Sequence, residues 1–117
     1  MEYLLMIYAA ERDEAAMDPG AVSKVMQEYQ EFTKSIVQAG QFKGAARLRP
    51  VPMASTVRVR DGKVITTDGP FAETREQLGG YYLVEAKHLD EALAIAARIP
   101  SAKYGSIEVR PIWPTPA

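Results

Sequence analysis

The opening segment Tyr3–Ala9 is apolar on both alternating faces, with Tyr3, Leu5 and Ile7 on one and Leu4, Met6 and Tyr8 on the other. A half-exposed strand alternates apolar with polar positions, so this pattern predicts a central strand covered on both sides. A polar stretch, Glu11–Met17, reads as a loop. At Asp18-Pro19 the period changes, with Asp18 as N-cap and Pro19 at the first helical position. Val22, Val25, Met26, Tyr29, Phe32, Ile36 and Val37 then recur at helical spacing. They predict a helix over Pro19–Ala39 with those residues as its core face, ended by Gly40.

A second strand is expected over Phe42–Leu48, closed by Pro50 and Pro52. Thr56–Arg60 alternates cleanly, Asp61-Gly62 is the signal of a two-residue type I′ turn, and Lys63–Thr66 returns as the other half of a hairpin. Arg58 and Arg60 share one face of it and read as solvated. Thr67–Gly80 is aperiodic, with a turn at Asp68-Gly69-Pro70 and one helical turn expected near Glu73–Gln77. Tyr81–Glu85 predicts a strand, Leu89–Ile99 a helix buried through Leu89, Ala92, Leu93, Ala96 and Ile99, and Ile107–Ile112 a last strand. Trp113–Ala117 reads as a poorly constrained tail.

Apart from the hairpin this order is βαββαβ, an α+β ferredoxin-like core with an added β-hairpin, read as a single domain over residues 1–117. Its helices cover one face of the sheet, so the second apolar face of the first strand needs another cover. Sheet-to-sheet packing in a two-fold homodimer supplies it.

The segment Thr67-Asp68-Gly69-Pro70-Phe71-Ala72-Glu73-Thr74, continuing through Arg75-Glu76-Gln77-Leu78-Gly79-Gly80-Tyr81-Tyr82, closely resembles the signature of DGPF-type proteins in the YciI-related (YCII) family. Leu4-Met6-Ile7-Tyr8, Val57–Lys63, Leu89–Leu93 and Gly105–Pro111 match further pieces in the same order. The resemblance implies a small dimeric α+β barrel. DGPF-type members are sometimes encoded beside or joined to sigma-factor-like regulators, which implies association with a regulatory pathway and not DNA contact by this domain. Smaller YciI-like relatives carry a His–Asp pair in a pocket. This chain has one histidine, His88, just before Leu89-Asp90-Glu91, where it reads as a helix N-cap or an exposed helix-start side chain, so the histidine mechanism does not transfer.

Composition narrows the chemistry by exclusion. The chain has 117 residues, 14 Lys plus Arg against 15 Asp plus Glu, and a formal net charge of -1. Such a balance offers no field for a nucleic-acid backbone or an anionic membrane. The apolar N-terminal run is too short for a membrane span, and an acid precedes it where a secretory signal has basic residues. With no cysteine there is no thiolate nucleophile and no cysteine-based metal site, which fits a cytoplasmic protein. Neither a metal nor a cofactor is expected.

Carboxylate acid–base chemistry assisted by Arg or Tyr remains. Asp68 is the first catalytic candidate; in a structural role it caps the turn that Gly69 and Pro70 shape. Glu108 and Arg110 share a face of the last strand, and Arg47 and Arg49 share a face of the second. Arg47, Arg110, Glu108 and Tyr81 are therefore the candidate ligand-binding residues of a dimer cleft. Three functions are compatible with this set: an enzyme with an Asp-based mechanism, a non-catalytic small-molecule-binding module tied to regulation, and a structural or interaction protein whose charged face fixes dimer register.

Overall fold

The computed structural model describes residues 1–115. Strand β1 (Glu2–Ala9) lies in the middle of an antiparallel sheet, flanked by β5 (Gln77–Glu85) and β6 (Ser106–Pro111), with β2 (Phe42–Arg47) outside β5. The order β2-β5-β1-β6 is consistent with a ferredoxin-like fold. Helices α2 (Pro19–Gln38) and α3 (Leu89–Ala97) cover one face. The core there joins Leu5 and Ile7 of β1, Tyr82 and Val84 of β5, Phe32 and Ile36 of α2, and Ile95 of α3. Phe32 and Tyr82 meet edge-to-face at 5.1 Å, and the Tyr82 hydroxyl is 2.6 Å from that of Thr33.

Both helix starts follow from their caps. The Asp18 carboxylate accepts the Ala21 N–H at 2.8 Å, and His88 Nδ1 accepts the Glu91 N–H at 3.2 Å. The helix faces are narrower than periodicity predicts. In α2 only Phe32 and Ile36 are buried, while Val22, Met26 and Val37 are exposed. In α3 the buried set is Ala92, Ile95 and Ala96, with Leu89 and Leu93 exposed. The sheet is narrower than the apolar arc each helix offers.

Two local expectations are corrected. Glu11–Met17 is not all loop: Glu11–Ala15 forms a short helix, α1, with Glu11, Asp13 and Glu14 in its first turn, where acids favour a helix N-terminus. None of its residues is buried, so no hydrophobic period announces it. Glu73–Gln77 forms no helical turn; instead β5 starts at Gln77, earlier than Tyr81. At Gly80 a side chain would come within 2.7 Å of the Ala46 carbonyl oxygen, so this position admits β2 only because it lacks a Cβ.

Strands β3 (Ser55–Arg60) and β4 (Lys63–Asp68) form a separate two-stranded arm, reached through a 3₁₀ turn at Val51–Met53. Its tip has φ of 52° at Asp61 and 74° at Gly62, as a type I′ turn requires. The molecule measures 48 × 45 × 18 Å. Its radius of gyration of 16.3 Å exceeds the value of about 13 Å for a compact chain of this length. It is a thin plate with a projecting arm. Residues 112–115 of the expected tail carry no regular structure, and Pro116 and Ala117 lie outside the described residues. No helix among the described residues is long and apolar enough to cross a membrane, which says nothing of a β-barrel.

Candidate functional site

The sheet face away from the helices carries half-buried Leu4, Met6 and Tyr8 from β1, and Tyr81 and Leu83 from β5. Register fixes how polar groups enter this apolar surface. Met6 is opposite Tyr81 on one side and Glu108 on the other, so Tyr81, Met6 and Glu108 form one row. Leu83, Leu4 and Arg110 form the next. Arg110 Nε donates to Glu108 Oε2 at 2.5 Å along the strand. Three of the four residues proposed to bind a ligand thus share one face.

Arg47 does not join them. Between Phe42 and Gly44 the β2–β5 register shifts by one residue, and Arg47 then pairs with Gly80, itself opposite Ile7 of the helix-covered core. A bulge turns every later side chain to the other face. Arg47 therefore lies on the helix side, where its guanidinium acts on the carboxyl of Glu14. Within one chain Arg47 thus stands apart from Tyr81, Glu108 and Arg110.

At one end of the open face is a recess of about 410 Å³ lined by Tyr8, Glu76, Ser106, Ile107 and Glu108. Tyr8 and Ser106 face each other across β1 and β6. Ser106 donates its hydroxyl to Glu76 Oε1 at 2.8 Å. The segment bearing Glu76 is shaped by its own polar groups. The Thr74 hydroxyl donates to the Glu76 carbonyl at 2.6 Å, and Gln77 Nε2 donates to the Thr74 carbonyl at 2.5 Å. Gln77 Oε1 in turn accepts the Glu11 N–H at 2.9 Å, which ties this segment to the start of α1. Two carboxylates, a phenol and a hydroxyl thus converge at a water-accessible hollow in an apolar sheet, a set suited to accepting ligand hydrogen bonds and to moving a proton.

Glu76 and Ser106 escaped the sequence reading. The signal for both was present: Glu76 belongs to the signature segment, and strand alternation places Ser106 on the face of Glu108. Among the described residues, no group of three or more His, Cys, Asp or Glu side chains is placed to hold a metal ion.

Asp68 is elsewhere. It ends β4 opposite Ser55 at the root of the arm, exposed, and outside the lining of the recess. Among the described residues its carboxylate accepts no hydrogen bond. The turn is held instead by the Gly69 N–H on the Ala54 carbonyl at 2.7 Å and the Thr56 hydroxyl on the Gly69 carbonyl at 2.9 Å. Gly69 has φ of 95°, a conformation in which a side chain is strained, and Pro70 follows it.

Comparison with known proteins gives the family. The YCII-related domain matches residues 1–116. The chain belongs to the YCII-related family. A YCII-related relative, the uncharacterized protein R00369 of Rhizobium meliloti (strain 1021), is 40% identical over 114 residues, covering 96% of this chain and 92% of its own length.

Proposed function

We propose that this YCII-related protein takes a small polar molecule into the recess at the open sheet face and transfers a proton there through Glu76 and Glu108. The observation that carries the reading is the convergence of Glu76, Glu108, Tyr8 and Ser106 on one hollow beside the half-buried Leu4, Met6 and Leu83 of the open face. Apolar burial excludes water from such a face only once it is covered. The reading therefore includes a homodimer in which two open faces meet, as in a dimeric α+β barrel, with Tyr81 and Arg110 on the cleft wall. Glu76 acts on the ligand with the oxygen that Ser106 leaves unengaged. Glu108, paired to Arg110, acts as the charged partner.

A second reading is a binding module without turnover, favoured by the Arg110–Glu108 pair, which already neutralises one of the two carboxylates. The test is recovery of co-purifying metabolites, followed by turnover and binding assays on whatever is recovered. In the enzymatic reading, Glu76→Gln retains binding and lowers turnover by roughly 100-fold or more. Asp68→Asn, assayed beside it, tests the carboxylate of the arm: an equal loss there moves the acid–base role to Asp68. A ligand that binds with Glu76 dependence and is never converted supports the binding module.

A further inference from the structure

The arm presents two unlike sides. Val57, Val59, Val64 and Thr66 line one, ending at Ser55 and Asp68 by the root; Arg58, Arg60 and Lys63 occupy the other with Ile65. The three valines are 62%, 58% and 69% exposed, so an apolar strip lies open to water within a single chain. A two-stranded hairpin is marginal in water without a third strand or a packed face. This one is nevertheless held out from the body by a fastened root. The Glu11 carboxylate accepts the Val51 N–H at 3.1 Å, the Leu48 N–H binds the Gly79 carbonyl at 2.9 Å, and Gly69 is bonded to Ala54.

Area indicates what covers the strip. With strands about 4.8 Å apart and about 3.3 Å per residue, the open face of the four-stranded sheet offers roughly 450 Å² per copy, or about 900 Å² for two faces in contact. Stable dimers bury about 1,200–2,000 Å² in total. One side of the arm offers roughly 190 Å² by the same geometry. Two arms, each laid on an equal area of the other copy, add about 760 Å² and bring the sum to about 1,700 Å², within that range. The strip is also the side that suits such a contact, because three cations on the opposite side are best left in water.

We infer that the Val57–Val59–Val64 side of each arm packs on the body of a second copy of this chain, so that two arms clasp the dimer formed by the open sheet faces. The inference rests on the homodimer of the proposed function and adds the segment that completes it. It also carries Asp68, on the same side at the root, to the edge of the interface.

The absence of cysteine makes the test clean. Single-cysteine variants Val64→Cys on the arm, Met6→Cys on the sheet and Lys24→Cys on the exposed side of α2 are reacted with a thiol reagent at a concentration where sedimentation shows the dimer. The expected result is that Val64→Cys reacts at least about tenfold more slowly than Lys24→Cys, since its thiol is reached only when the clasp opens. A dimer in which Met6→Cys is protected while Val64→Cys reacts as fast as Lys24→Cys overturns the clasp and leaves the sheet contact standing. A monomer at every concentration overturns both. Val59→Lys gives an independent measure: it raises the dimer dissociation constant at least about tenfold, by burying an unpaired cation, and an unchanged constant overturns the clasp.

Discussion

Glu14 shows how a single side chain reports the packing around it. Glu14 is exposed, but partial desolvation by the protein around it pushes its carboxyl above the ordinary glutamate value; the Arg47 guanidinium pulls it back in part, and the neighbouring Glu11 pushes it further up. A carboxyl raised in the folded state keeps its proton more readily there than in the unfolded chain. Its contribution to stability is therefore lost as pH rises from the ordinary glutamate value through the raised one. Glu85 works in the opposite sense. The N-terminal ammonium donates to it at 2.7 Å and holds its carboxyl low, so its contribution is present above the ordinary value and lost on acidification. Glu14→Gln isolates the first effect. Its melting temperature should exceed that of the wild type at about pH 7 and converge with it towards about pH 4, where both side chains are neutral. A constant difference across that range would assign the effect to packing. At this scale the sequence was legible in its caps: Asp18 and His88 each accept the N–H that their positions predict. Arg47 was missed for a definite reason, because one extra residue in β2 reverses the face of everything after it; Gly44, at that shift, is the residue type that could have marked the bulge.

Between elements, hydroxyl groups join what apolar contact leaves apart. The Tyr29 hydroxyl of α2 lies 2.6 Å from Oγ of Ser101, in the 3₁₀ turn Pro100–Lys103, and Ser101 is also 3.2 Å from the Tyr104 hydroxyl. Ser101 is buried, so its oxygen depends on these partners. Tyr29→Phe removes one and leaves the other. The expected cost is about 1 kcal/mol in urea unfolding, with an unchanged slope against denaturant. A cost near zero would show that Tyr104 alone satisfies Ser101. The elements themselves were largely legible, because α2, the hairpin and α3 each carry a strong period and β1 is a short apolar run between polar flanks. Their boundaries and depths were less so. Periodicity reports which side chains can face a core, whereas the sheet decides how many do; Met26 and Leu93 keep the period and remain exposed. Short α1 carries no apolar period, and the start of β5 is masked by glycines.

For the whole molecule, the proposed homodimer rests on the thin plate and the open sheet face it leaves uncovered. Sedimentation at micromolar protein should give about 26 kDa, twice the 12.9 kDa of the chain, with burial above roughly 1,000 Å² in total. A constant 12.9 kDa across concentration would require the open face to be stable in water by itself. The sequence argument for that homodimer has the same ground, since the two apolar faces of the first strand cannot both meet one layer of helices. The recess was not readable in the same way. It is assembled from the end of β1, the start of β6 and the residue before β5, and only strand register brings these three together.

The central place of β1 also governs the order in which this chain can fold during its synthesis. Both neighbours of the first strand come late, β5 from Gln77 and β6 from Ser106. At about 5–20 residues per second, a ribosome that has finished β1 needs roughly 3–14 s more to reach β5. Throughout that interval the most apolar segment of the protein has neither of its hydrogen-bonding neighbours. The nascent chain is thus committed to a waiting period in which α2 is the main apolar shelter already made, and a holding chaperone has its natural target at Tyr3–Ala9.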